Sequence, residues 1–226
     1  MRLGSIILCF LGLLAMLSGR RAAADEAGLA ALLQSFITPE GIGWEQLDQH
    51  REVRWSVPNP VMLKSVAPDG SSFARPGVAT FGGRTLSVAA SGARAGVASL
   101  YVSEPVAAAP ADTVAEGLRR AGLGVAPARC PRNPAAADPW RGWYHLTSRR
   151  GTANLFIGRL KSGEQGYTLY LADLPPMTQE QAARFVDCAA GPAGGGAAAA
   201  TGQAGLVAAI EAVLRPAGAP ATLPWG

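Results

Sequence analysis

The sequence predicts an α+β fold: a two-layer antiparallel sheet with two helices on one face, plus N- and C-terminal helices. Three observations predict it. Short stretches of alternating apolar residues between 78 and 190 read as strands. Two of these strand pairs lead, through Pro-containing loops, to Thr-x-x-Glu and Thr-x-x-Gln spacings that suit helix starts, at Thr113 with Glu116 and Thr178 with Gln181. The order strand, turn, strand, Pro loop, capped helix therefore occurs twice. Laid over each other without a gap, residues 85–102 fall on 154–171, placing Leu86, Leu100 and Tyr101 on Leu155, Leu169 and Tyr170. The overlay suggests a ββα duplication, although alternating strands also match one another by chance.

Before this region, residues 1–24 read as a secretory signal peptide: Arg2, then the apolar run Ile6 to Leu17, then Ala22-Ala23-Ala24 as a cleavage site. The run is shorter than the roughly 20 residues that span a bilayer. An uncleaved anchor is the competing reading. Removing these residues takes away three arginines and no acid. The remaining 202 residues then hold 17 basic and 16 acidic side chains, a net of +1. Such a balance gives no general attraction to phosphate backbones, so no nucleic-acid partner is expected. No stable membrane insertion is expected after cleavage.

The segment 25–50 reads as helical. Leu29, Leu32, Leu33 and Phe36 form one apolar stripe, Asp25 and Glu26 suit the positive end of the helix, and Thr38-Pro39-Glu40-Gly41 ends it. Gly43 to His50 adds another helical turn. Val53, Trp55 and Val57 alternate as a strand until Pro58, and Val61 to Val66 reads as a further strand before the turn at Pro68-Asp69-Gly70. Within the domain proper, 51–190, the regular strands are Arg84 to Ala90, Val97 to Ser103, Thr152 to Leu160 and Tyr167 to Ala172. The helices are expected from Val114 to Ala121 and from Thr178 to about Ala189. Between the two units lie Val125 to Cys130, a Pro-rich loop and Trp140 to Thr147. In that last strand Trp143 and His145 share one face, Tyr144 and Leu146 the other. Residues 191–205 are almost all Gly and Ala and read as a linker. Residues 206–226 then form a C-terminal helix and tail, docked either on its own domain or on a partner.

Cys9 lies in the signal, so two cysteines remain. In an oxidising compartment Cys130 and Cys188 are expected to form one disulfide, with 57 residues between them. On the chain-entropy model such a bridge contributes roughly 4 kcal/mol.

No motif with a stated catalytic mechanism occurs. The chain lacks a Gly-x-Ser-x-Gly elbow, a phosphate-cradling Gly-rich loop ending in Lys-Ser/Thr, a His-Glu-x-x-His pair and an EF-hand loop. No cofactor and no metal are expected, and the reading leans away from an enzyme. The candidate binding surface is Trp140, Arg141, Trp143, Tyr144 and His145, of a composition enriched at interfaces, together with Tyr101 and Tyr170, which match in the overlay. These residues serve equally as core edge. The leading expectation is an exported, periplasmic or secreted, non-catalytic protein that binds another envelope protein. Two alternatives stand beside it. One is a small-ligand binder using an open sheet face. The other is a periplasmic hydrolase in which His145 acts with a nearby carboxylate or hydroxyl such as Asp138 or Ser148.

Overall fold

The computed structural model describes residues 26–64, 70–81 and 84–188. The expected signal peptide at 1–24, the expected linker at 191–205 and the expected C-terminal helix and tail at 206–226 lie outside the described residues.

The first helix, α1, covers 26–36, and the expected stripe Leu29, Leu32, Leu33 and Phe36 is buried along it. Its exit is fixed by Thr38, whose hydroxyl donates to the Gly41 carbonyl at 2.8 Å. Gly41 itself sits at φ 76°, a value that glycine adopts without a Cβ clash. A 3-10 turn, Trp44–Gln49, leads to the strands. These are β1 (Val53–Trp55), β2 (Val61–Met62), β3 (Phe73–Phe81), β4 (Arg84–Ala93) and β5 (Gly96–Ala107). Helix α2 (Ala111–Arg120) follows. Then come β6 (Gly124–Pro131), β7 (Gly142–Ser148), β8 (Gly151–Arg159) and β9 (Glu164–Tyr170). The described chain closes with helix α3 (Gln179–Arg184) and β10 (Phe185–Asp187).

All ten strands join one antiparallel sheet in the order β1-β3-β4-β5-β9-β8-β7-β6-β10, with β2 also on the edge of β3. This overturns the expected two-layer α+β arrangement. Among the described residues the fold is β-rich, a single large sheet with few short helices. Of the two helices expected to cover one face, only α2 packs against the sheet, through Ala111, Ala115 and Leu118. The second, α3, is six residues long and buries none of its side chains. The chain then turns into β10 instead of continuing as helix to Ala189, because Phe185 and Val186 favour a pleated edge and the bond at Cys188 holds the segment along β6.

The ββα overlay fails at the same level. It would set Ile157 opposite Leu171, but Ile157 pairs with Tyr167. The β4–β5 turn closes directly between Ala93 and Gly96, whereas the β8–β9 connection runs from Arg159 to Gln165. The longer connection displaces the register that a gapless overlay assumes. The start of α2 also differs from expectation: Pro110 is the N-cap, no side chain caps it, and Glu116 instead pairs with Arg119 at 2.8 Å. The Thr178–Gln181 capping box of α3 does form.

Register divides the sheet into two faces. Leu86, Val88, Leu100, Val102, Leu155, Ile157, Tyr144, Leu146, Tyr167 and Leu169 point to one side and pack with α1 and α2 in a single apolar cluster. Each such aliphatic side chain removed from water stabilises the fold by about 1.5–3 kcal/mol. Among the described residues the opposite face carries no core helix.

Candidate functional site

On that second face the cross-strand pairs are Ser91 with Ser99, Tyr101 with Thr168, Ser99 with Tyr170, Asn154 with Tyr170, Phe156 with Thr168, Trp143 with Phe156 and His145 with Asn154. At the β6 end Arg129 faces Trp143 and Asp187. Thus four of the seven sequence-predicted residues, Tyr101, Trp143, His145 and Tyr170, come from three different strands, β5, β7 and β9, onto one face. Antiparallel pairing produces this, because residues of like parity in register share a side.

The other three lie elsewhere. Tyr144 points into the helix-bearing core, where its hydroxyl donates to Asp112 Oδ1 at 2.9 Å. Burial and the neighbouring Asp112 push its phenol well above the usual range. Trp140 and Arg141 belong to the β6–β7 loop: the Arg159 guanidinium lies 5.1 Å from the Trp140 ring, and Arg141 pairs with Asp138 at 3.4 Å. Tyr101 shares the second face but is buried, at 2% exposure, so it forms floor and not surface.

The connection between β9 and α3 runs across this face. The Leu171 amide donates to the Ala98 carbonyl at 2.9 Å, and Asn154 Nδ2 donates to the Ala172 carbonyl at 2.8 Å. The Arg129 guanidinium donates to the Pro175 carbonyl. Arg129 also lies 5.7 Å from the Trp143 ring, a cation–π distance. Burial pulls its pKa down, and nearby Asp187 and Tyr170 oppose that. Trp143 is the hub of an aromatic group, with Phe156 at 4.9 Å and Phe185 at 4.7 Å between ring centres. Tyr170 is half-buried. Burial raises its phenol to about 12 against the lowering effects of Arg129 and a hydrogen bond with Thr168.

His145 is exposed, and its Nδ1 lies 2.7 Å from Asn154 Oδ1. An amide oxygen orients an imidazole but does not take up a proton as a carboxylate would. Asp138 accepts from the Trp140 amide and pairs with Arg141, while the Ser148 hydroxyl donates to the Gly151 carbonyl. Neither is the partner that hydrolysis through His145 needs. Among the described residues no group of three or more His, Cys, Asp or Glu side chains is placed to hold a metal, and no helix is long and apolar enough to cross a membrane.

Sequence reasoning missed Arg129, Asn154, Phe156 and Phe185. Asn154 and Phe156 were available from the alternation in Asn154-Leu155-Phe156-Ile157, because the residues between them, Leu155 and Ile157, claim the core. Phe185 was hidden inside an expected helix. The cysteine bond is as expected: Cys130 and Cys188 are joined, with Cα atoms 5.1 Å apart. Compared with known proteins, the chain matches no family model, no curated protein and no solved structure.

Proposed function

We propose that this chain is an exported binding protein that engages another envelope protein through the face of its sheet opposite α1 and α2, around His145 and Tyr170. The observation that supports this reading is the convergence on that face of the half-buried Phe156, Tyr170 and Phe185 over a buried floor of Trp143 and Arg129, from β6 to β10. Aromatic residues held by a rigid sheet supply contact area at little entropic cost, and such groups dominate binding energy at protein interfaces. The apolar leader sequence and the single disulfide support an oxidising compartment as its place of work. His145 and Asn154 then orient one another as polar neighbours of the aromatic group.

The test is site-specific photo-cross-linking in intact cells, with the cross-linker at His145 on this face and, in a second strain, at Glu116 on the exposed side of α2. Adducts with one envelope protein from position 145 and none from 116 are the expected result. Equal adducts from both positions, or none from either, overturn the assignment of the face.

A further inference from the structure

The last piece of the sheet is held differently from the rest. Helix α3 buries no side chain, and among the described residues β10 pairs only with β6, over the three positions Phe185 with Pro131, Val186 with Cys130 and Asp187 with Arg129. Besides that ladder, the segment is attached by the Arg132 amide to the Arg184 carbonyl at 2.8 Å, Arg132 Nε to the Ala182 carbonyl at 3.0 Å, and the Cys188 amide to the Ala128 carbonyl at 3.0 Å. Phe185 contributes one edge-on aromatic contact with Trp143. Short edge ladders and exposed hydrogen bonds belong to the low end of local opening energies. The covalent tie at Cys130–Cys188 changes that balance. It fixes the far end of a segment whose near end is already fixed by β9. Each time β10 separates, the bond returns it to β6 at high effective concentration. Both cysteines are half-buried, so a thiol has access to them.

We propose that the Cys130–Cys188 disulfide is a redox-sensitive latch that keeps α3 and β10 on the edge of β6. The reductant is a dithiol of the Cys-x-x-Cys class. It supplies two electrons and two protons, the bond between the two sulfurs breaks, two thiols form, and the dithiol closes to its own disulfide. Residues 179–188 then separate from the sheet while the remaining strands stay paired. Two things are uncovered. The outer edge of β6 from Ala128 to Pro131 regains unpaired backbone groups, which is the kind of edge to which an extended strand adds. Trp143 loses the cover of Phe185. The proposal stands on the edge geometry alone and does not depend on the identity of any partner.

Amide hydrogen exchange on the purified oxidised protein, before and after dithiothreitol, tests it. The expected result is a loss of protection of at least about ten-fold at the Arg132 and Cys188 amides, which bond across the β6–β10 edge, with protection at Val88, Leu100 and Leu169 unchanged. The double variant Cys130→Ser/Cys188→Ser should show the open pattern with and without dithiothreitol. Unchanged protection at Arg132 and Cys188 after complete reduction overturns the latch. Loss of protection at Val88 and Leu100 together with β10 overturns it as well, since the bond would then support the whole sheet. If the double variant does not fold, the reduction of folded protein alone decides between these outcomes.

Discussion

At the scale of single residues, the polar contacts near the end of α1 make a definite claim about acid stability. Glu52 is 28% exposed, and burial alone would raise its pKa. The neighbouring Ser35 hydroxyl and its own backbone N–H, with His50 Nδ1 at 3.4 Å, outweigh burial and hold the carboxyl below its usual 4.5. His50 is itself stacked on Phe36 with ring centres 4.0 Å apart. A carboxyl depressed in the folded state contributes stability above its unfolded pKa and loses it as pH falls through the folded value. Glu52→Gln should therefore lower the urea midpoint near neutrality, and the gap to the native chain should close as pH drops below 4.5. A gap that is constant with pH would mean that the carboxylate charge plays no part. Residue-level chemistry of this kind was only half legible in the sequence. The apolar stripe of α1 could be read from its period, and the cysteine pair from elimination. The meeting of Ser35, His50 and Glu52 could not, because it depends on how β1 returns beneath α1.

Among the elements, β3 shows most clearly what pattern reading misses. Phe73-Ala74-Arg75-Pro76-Gly77-Val78 contains Pro and Gly at its centre, which argues against an interior strand, yet β3 lies between β1 and β4. The Pro76 carbonyl accepts from the Ser56 amide at 2.8 Å, so its backbone polar edge faces β1 and β2, not β4. In an antiparallel strand the N–H of a residue points the same way as its carbonyl. The missing proline N–H therefore falls where β1 has ended and β2 has not begun, since β1 pairs with 77–79 and β2 with 73–74. Gly77 is needed for a different reason. A Cβ there would sit 2.9 Å from Val53 Cγ1 and 3.0 Å from both the Arg54 carbonyl oxygen and Trp55 Cε3. Gly77→Ala should push β1 off the sheet edge and cost about 1–3 kcal/mol in urea unfolding, the range for overpacking. A variant as stable as the native chain would show that β1 is not packed as described. The strands that were legible, β4, β5, β8 and β9, are the central ones with strict alternation. Those that were lost, β3 and β10, owe their state to neighbours: a gap between β1 and β2 that tolerates proline, and a disulfide that overrides a helix start.

For the molecule as a whole, the sheet buries ionisable phenols on both of its faces, and this ties global stability to alkaline pH. Tyr144 and Tyr167 lie in the core under the helices, and Tyr170 lies on the opposite face. Burial is the largest cause in each case, and it raises all three above the ordinary 10.0, Tyr170 to about 12. The sign follows from linkage. A phenol kept neutral by the fold gives its full contribution below pH 10.0, and the contribution is lost as pH climbs from there through the folded value, because the unfolded chain has already released the proton. The helix-bearing core and the proposed binding face should thus fail together, since one sheet forms the floor of both. The urea midpoint should stay level up to about pH 9 and fall steeply beyond pH 10.0, with Tyr170→Phe removing part of the fall. Phenolate absorbance supplies the sharper check. With three of the chain's four tyrosines held this way, most of the phenolate signal should arrive with the unfolding transition and little before it. Smooth ionisation of these tyrosines near pH 10 in protein whose circular dichroism is still native would refute the packing of both faces at once.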